Sequence, residues 1–253
     1  MTDDIPRGEH LTGGNMSRVV RFADRVHRAA GAWTPTVHRL LRHLHDRGVP
    51  GVPYPVGLDA DGREIVTYVP GTVPQDPMPD WVWTDAVLTA AGRRLATLHD
   101  ATLDLDRHDS HWQSPSHQPA EVVCHNDFAP YNLVFDDDHA LTGVIDWDTA
   151  SPGPRVWDLA YLAYRLVPLA HPANPDLPDN GLADRRRRLA LLCHAYGHGL
   201  TPGAVAAVGV DRLHEMAEFT ARRAAAGAVH VAGHVRLYRT DAEWLAAHLA
   251  ALG

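Results

Sequence analysis

An aspartate, an asparagine and a second aspartate are spaced along Cys124–Asp148, CHNDFAPYNLVFDDDHALTGVIDWD, as a phosphoryl-transfer site would need them. Asp127 lies two residues after His125, Asn132 follows after four intervening residues, and Asp146 ends an apolar run. The pattern is H-x-D-x-x-x-x-N with a distal Asp. Moving a phosphoryl group from a nucleotide to a hydroxyl needs a carboxylate near the acceptor oxygen and oxygen ligands that hold Mg²⁺ against the phosphates. Asp127 can be that carboxylate, and Asn132 and Asp146 can be the ligands. Each residue alone is more often a turn former or cap; the joint spacing carries the chemistry. Asp148 is open between a further metal ligand, a group that orients the acceptor, and the cap of a turn.

The flanking sequence must bring these side chains together. Glu121–Cys124 reads as a short strand running into the loop. Leu133–Phe135 and Leu141–Ile145 are apolar runs around Asp136-Asp137-Asp138-His139, the composition of a hairpin turn. Such a hairpin puts Asn132, at its start, beside Asp146, at its end. Pro130 stiffens the loop and removes a backbone donor.

HNDFAPYN, VIDWD and PRVWDLAY together resemble the aminoglycoside phosphotransferase and choline kinase-like superfamily. The resemblance is sharpest over Cys124–Tyr164 and weaker over the N-terminal third. It implies an α+β, protein kinase-like bilobal fold. A small, mostly β N-terminal lobe would occupy residues 1–70, with a hinge near 67–71. A larger, mostly helical lobe over 72–253 would carry the catalytic and acceptor-binding groups. The phosphate donor would be ATP or GTP with Mg²⁺, and the acceptor a small-molecule hydroxyl. Asp127 would be the general base, with Asn132 and Asp146 completing the catalytic set and, with Asp148, the metal site. The backbone at Thr67 and Val69 would meet the adenine, and Asp158 would support the catalytic loop. His125 is expected to orient that loop. An aminoglycoside-like or other antibiotic is the expected acceptor. The alternatives are a metabolic kinase for choline, a sugar or an amino alcohol, and a catalytically weak nucleotide-binding protein.

Two departures from the family pattern stand out. Kinase-like folds use a strand lysine on the nucleotide phosphates, and this chain contains no lysine. Ser17–Phe22 and Arg25–Ala29 read as a hairpin. Val26 and Arg28 share one strand face there, so Arg28 is the substitute. Its guanidinium can hold two phosphate oxygens, in a different geometry from an ammonium. The helix that in relatives supplies a bracing Glu begins here at Thr34-Pro35, with Thr34 as N-cap. It shows Val37, Leu40, Leu41 and Leu44 as its apolar stripe, and Gly48 at its end. It contains no Glu, so another acid braces Arg28 or none does. Leu11–Asn15, with its Gly-Gly pair, corresponds to the loop that covers the phosphates in the family.

Val52–Leu58 and Arg63–Val69 read as strands, and helices follow at Thr84–Asp100, Trp157–Val167, Asp184–Gly197, Asp211–Ala226 and Ala232–Leu249. Arg185–Arg188 read as one solvated helix turn. The polar stretch Asp104–Pro119 is expected to border the acceptor pocket. A net charge of −8 argues against a nucleic-acid partner. The acidic excess lies beyond residue 70 and suits a cationic acceptor as well as simple solubility, with Glu215, Glu218, Asp241 and Glu243 as candidate contacts. Cys124 and Cys193 make neither a disulfide framework nor a zinc site. No apolar run reaches membrane-spanning length, and the N-terminus lacks a signal-peptide apolar region, so a cytoplasmic enzyme without a membrane partner is the expectation. Oligomeric state has no signal.

Overall fold

The computed structural model describes residues 9–11, 19–228 and 231–253. Short strands come first: β1 (Glu9–Leu11), β2 (Val19–Phe22), β3 (Arg25–Arg28), β4 (Pro55–Leu58) and β5 (Glu64–Thr67), with helix α1 (Thr34–Asp46) between β3 and β4. They form one antiparallel sheet in the order β1-β2-β3-β5-β4. The expected hairpin is β2–β3, turning at Ala23-Asp24 with Ala23 in the left-handed region. Thr12–Asn15, the expected phosphate loop, and Ser17-Arg18 lie outside the described residues.

Helix α1 packs through Val37, Leu40, Leu41 and Leu44, all essentially without exposure. Its N-cap is Trp33 rather than Thr34. The Thr34 hydroxyl instead accepts from the Gly31 backbone N–H at 2.9 Å, so it closes the preceding turn and leaves the helix start to Pro35.

The remainder is mainly helical. It comprises α2 (Asp85–Ala101), β6 (Val122–Cys124), the β7–β8 hairpin (Leu133–Phe135 and Leu141–Val144), β9 (Ser151–Gly153), α3 (Arg155–Leu166), α4 (Gly181–Tyr196), α5 (Pro202–Ala225) and α6 (Ala232–Leu252). Thr84 caps α2 by accepting from the Val87 N–H. Helix α3 lies in the middle of this part: Leu159, Ala160, Leu162, Ala163 and Leu166 are all at most 1% exposed. Two arginines of α4 depart from the solvated reading. Arg185 and Arg188 are only 2% and 3% exposed. Arg188 donates to the Leu166 carbonyl and to Asp85, and Arg185 lies over the Trp244 ring. Long apolar stems let arginine enter a core when its head finds oxygens or a ring.

The sheet and the helical part meet at the β7–β8 hairpin. Val144 N–H donates to Gly51 O at 2.8 Å, and Thr72 and Phe135 exchange backbone hydrogen bonds. A Cβ on Gly51, whose φ is +66°, would come within 1.9 Å of the Thr142 carbonyl. Only glycine allows so close an approach. No helix among the described residues is long and apolar enough to cross a membrane.

Candidate active site

Strand β6 delivers His125, Asn126 and Asp127 into a loop clamped from below by Asp158 of α3. Asp158 is 0% exposed. One oxygen accepts from the His125 N–H at 2.6 Å and the other from the Asn126 N–H at 2.9 Å. His99 Nε2 lies 3.2 Å from the first oxygen, and His99 Nδ1 lies 2.7 Å from the Tyr196 hydroxyl. A carboxylate only accepts, so Nε2 carries the proton there. Burial opposes the charge on Asp158, yet the bonds from His99 and the loop outweigh it and hold the carboxyl below its ordinary range. Cys124 completes a buried cluster with His99 and Asp158 whose ligand-type atoms lie within 4.8 Å of one another. Burial pushes the thiol well up and keeps it protonated, and both Asp158 oxygens are taken. The cluster therefore acts as a clamp on the loop.

The clamp leaves Asn126 in the left-handed region at φ +65°, tolerable for asparagine. Asp127 follows with both oxygens engaged: one accepts from Tyr131 Oη at 2.6 Å, the other from Asn132 Nδ2 at 2.9 Å. Burial pushes its carboxyl up, against the Tyr131 hydrogen bond and the field of His125. A carboxylate has about four lone-pair sites, so roughly two remain for an acceptor hydroxyl. His125 points away, as expected. Its Nε2 meets the Ile145 carbonyl at 3.0 Å and its Nδ1 faces the Asp127 N–H at 3.3 Å. That arrangement fixes an Nε2–H tautomer and ties the Asp127 loop to the Asp146 arm.

The β7–β8 hairpin brings the other two residues alongside. Leu133 pairs with Val144, and Ile145 N–H donates to the Asn132 carbonyl at 3.0 Å, so Asp146 emerges beside Asn132. Asp146 adopts φ +62°, an unusual conformation for a non-glycine residue, and one that re-aims its side chain. Asn132 turns its amide nitrogen to Asp127, which leaves Oδ1 without a hydrogen bond among the described residues. Asp146 Oδ2 is likewise without one. Two hard oxygens of this kind fit Mg²⁺ or Ca²⁺ rather than a soft metal.

Arg28 reaches this arm from β3. Its Nε donates to Glu64 at 2.6 Å, Nη1 to Asp146 at 2.9 Å and Nη2 to Asp148 at 2.7 Å, with its side chain 12% exposed. Burial pushes Asp148 up to about 6, against the charge of Arg28. The missing helix glutamate is replaced from β5: Glu64 faces Arg28 across the sheet and also meets His38 Nε2 of α1 at 2.8 Å. Sheet, helix and hairpin arm are thus joined through one buried acid. Burial opposes its charge, but the bonds from His38 and Arg28 hold Glu64 below its ordinary value of 4.5. The stability it gives is therefore present above pH 4.5 and lost as pH falls through the depressed value. Glu64→Gln is expected to destabilise the protein by about 1.5–3 kcal/mol at neutral pH. The deficit should shrink in acid below pH 4.5, and melting curves of both proteins from pH 7 to 3 check this.

Not every expected residue enters the site. The N–H and hydroxyl of Thr67 are both committed to Tyr54 at the sheet, so Thr67 offers an adenine no free N–H. At Val69 neither backbone group is hydrogen-bonded among the described residues. The four acids of the C-terminal part do not converge on Asp127. Glu215 meets His117 at 2.8 Å, and exposed Glu218 lies 3.9 Å from Arg222. Buried Asp241 accepts from Tyr164, His171 and Asn174, and Glu243 is exposed. The Asp104–Pro119 stretch packs on α1, β9, α3 and α5, with His117 stacked on Trp157 at 4.0 Å. Sequence reasoning missed Glu64, Tyr131, Tyr161 and Arg165. For Tyr131 a signal existed, since it lies four residues after Asp127, one turn along the loop.

Residues 102–192 match the family model described as the phosphotransferase enzyme family. A trifolitoxin immunity protein of Rhizobium leguminosarum bv. trifolii is 31% identical over 182 residues, which are 69% of this chain; the chain spans 65% of that relative's length. Among solved structures, a choline/ethanolamine kinase family protein from Mesorhizobium loti has TM-score 0.67 at 16% identity, covering 99% of this chain and 94% of its own. Amicoumacin kinase hAmiN, in complex with AMP-PNP, Ca²⁺ and amicoumacin, has TM-score 0.69 at 13% identity, covering 93% and 87%. ADP-bound aminoglycoside phosphotransferase APH(2'')-Ib has TM-score 0.57 at 14% identity, covering 96% and 95%. Residues 102–192 thus resemble the phosphotransferase enzyme family in sequence, and the α+β fold is similar to that of these kinases over nearly the whole chain.

Proposed function

We propose that the protein is an O-phosphotransferase that moves the γ-phosphate of ATP or GTP to a hydroxyl of a small antibiotic or toxin. The observation that carries the reading is that Asp127, Asn132 and Asp146 come together while Asn132 Oδ1 and Asp146 Oδ2 stay free of hydrogen bonds among the described residues. Asp127 accepts the proton of the acceptor hydroxyl. A new bond forms between the acceptor oxygen and the γ-phosphorus, the bond from that phosphorus to the bridging oxygen breaks, and a nucleoside diphosphate leaves. Asn132 and Asp146, with Asp148 beside them, would hold Mg²⁺, which supplies charge neutralisation on the phosphates. Arg28 takes the lysine's place on the phosphates, braced by Glu64. The backbone of Val69 lies at the base. Residues 1–70 and 72–253 form the two lobes, and the reaction takes place in the cytoplasm.

Support for a toxin or antibiotic acceptor comes from the immunity protein and from the amicoumacin kinase. The rival reading is a non-catalytic nucleotide binder, favoured by the absence of lysine and by the Arg28 contact on the Asp146 carboxylate. Purified protein is to be assayed for Mg²⁺-dependent nucleotide binding and then for phosphate transfer across hydroxylated antibiotics, peptides, choline, sugars and amino alcohols. Transfer to an antibiotic or peptide, with protection of a susceptible host, supports the proposal. Transfer only to choline, a sugar or an amino alcohol points to a metabolic kinase, and tight nucleotide binding without any turnover points to the binder. Asp146→Ala is expected to weaken Mg²⁺-dependent nucleotide affinity roughly 10-fold or more, since even outer-shell metal partners cost about 10–100-fold; isothermal titration with and without Mg²⁺ reads the effect.

A further inference from the structure

Beside Asp127 lies a group of side chains that phosphate transfer itself does not require. Tyr131 donates to Asp127, and its hydroxyl is 2.7 Å from that of Tyr161. Tyr161 and Tyr164 lie on α3 with ring centroids 6.2 Å apart, and Tyr238 of α6 is 6.3 Å from Tyr164. Into this aromatic wall projects Arg165, one helical turn after Tyr161. Its guanidinium carbon is 5.4 Å from the Tyr131 ring centre and 5.9 Å from that of Tyr164.

Half-buried Arg165 differs from the other arginines drawn out of solvent, since even Arg185, which lies over a ring, is 3.3 Å from Asp179. Arg28, Arg188 and Arg212 each donate to a carboxylate or a carbonyl. Arg165 makes no hydrogen bond and no ion pair among the described residues, and its Nε is buried without a partner. It sits in the last turn of α3, where a cation suits the helix dipole, but it donates to none of the helix carbonyls. Tyr131 stands between it and Asp127, with its ring toward the guanidinium and its hydroxyl on the carboxylate. The side chain retains partial solvent access. A guanidinium held this way keeps free N–H groups and a strong preference for a planar anion.

A cage of tyrosines would ordinarily welcome a cationic ligand. Here the chain supplies the cation itself, and a second one would meet repulsion. Arg212, whose guanidinium carbon is 5.0 Å from the Tyr161 ring centre, lies on the other side of this wall, 4.0 Å from Glu215. Of the acids expected to receive a cationic acceptor, Glu215 lies against His117 and Arg212, Glu218 against Arg222, Asp241 is buried with its oxygens taken by Tyr164, His171 and Asn174, and Glu243 is exposed.

We infer that the acceptor carries a carboxylate, which binds Arg165 while the hydroxyl to be phosphorylated meets Asp127 and the body of the molecule lies against Tyr131, Tyr161 and Tyr238. The inference rests on the phosphotransferase reading for the fate of the hydroxyl, but the anion subsite can be tested without turnover. Three probes matched in shape serve: 4-(hydroxymethyl)benzoate, 4-(hydroxymethyl)benzamide and 4-(hydroxymethyl)benzylamine. Their affinities for the full-length protein, with Mg²⁺ and a non-hydrolysable ATP analogue present, are read by ligand-observed NMR titration. The benzoate is expected to bind at least about 10-fold more tightly than the other two. Arg165→Gln should weaken benzoate binding by about 10–100-fold, as loss of a charge-assisted hydrogen bond does, and leave the benzamide unchanged. Arg165→Lys should retain part of the preference and guards against misfolding of the glutamine variant. Equal affinities, a preference for the amine, a preference that survives Arg165→Gln, or no measurable binding of any probe would overturn the inference. Selective benzoate binding without phosphate transfer to any acceptor would instead count against the phosphotransferase reading while leaving the subsite in place.

Discussion

Asp127→Asn is expected to lower turnover by about 10²–10⁴-fold, the usual contribution of a positioned general base, while the protein folds and binds Mg²⁺-nucleotide as before. The replacement fits the site. An amide oxygen can still accept from Asn132 Nδ2, and an amide nitrogen can donate to Tyr131 Oη, whose own proton then turns to Tyr161. Only the ability to take a proton is lost. Stability should not suffer. Burial holds the Asp127 carboxyl above its ordinary value of 3.8, so ionising it costs the folded state more than the unfolded one. That cost grows as pH rises from 3.8 to the raised value and persists above it. At neutral pH the asparagine variant is therefore expected to melt no lower than the parent. The parent's rate should fall as pH drops through the raised value, giving an acid limb displaced above the usual carboxylate range. Steady-state kinetics across pH and a thermal melt measure all of this. A variant whose turnover stays within a few-fold of the parent would end the assignment of Asp127 as base.

The parts of this site that could be read along the chain are those whose geometry is local. His125, Asp127 and Asn132 sit in one loop, and the Asn132–Asp146 approach follows from a hairpin whose turn composition is plain in Asp136–His139. The choice of Arg28 followed from strand alternation, since it shares a face with Val26, and the structure carries it to the arm of Asp146. Glu64 was not legible. It lies in a different strand from Arg28 and acts across the register of an antiparallel pair, which nothing in either strand's own sequence announces. Arg165 was hidden for a related reason: on α3 it reads as an ordinary charge in a helix's last turn, and its setting depends on rings from the catalytic loop and α6. Arg185 and Arg188 misled in the opposite direction, because a run of four arginines resembles a solvated face while a helix turn distributes them around its circumference. Thr34 had the right type and position for a cap, and a competing bond to Gly31 took its hydroxyl.

Asp158→Asn should be the most destabilising single change at the site, and it separates the role of the clamp from that of the base. The carboxylate accepts from two consecutive backbone N–H groups and faces His99, all without access to water. An asparagine must aim its NH₂ at one of those donors, leaving a buried N–H against an N–H. Removing one partner of a buried charge network costs about 3–5 kcal/mol, or roughly 6–20 °C in Tm for a chain of this size class. The carboxyl is held below its ordinary value of 3.8, so its contribution is complete above that pH and disappears only as pH falls through the depressed value. The gap between parent and variant should therefore be flat from pH 5 to 8 and close in strong acid. Because His99 donates to the same carboxylate, His99→Gln combined with Asp158→Asn should cost less than the two changes separately. Turnover falls with Asp158→Asn too, but through a loosened loop, so part of it should return at low temperature, where Asp127→Asn gains nothing. A melt within about 2 °C of the parent, against the shift expected for this network, would show that the loop holds its shape without Asp158.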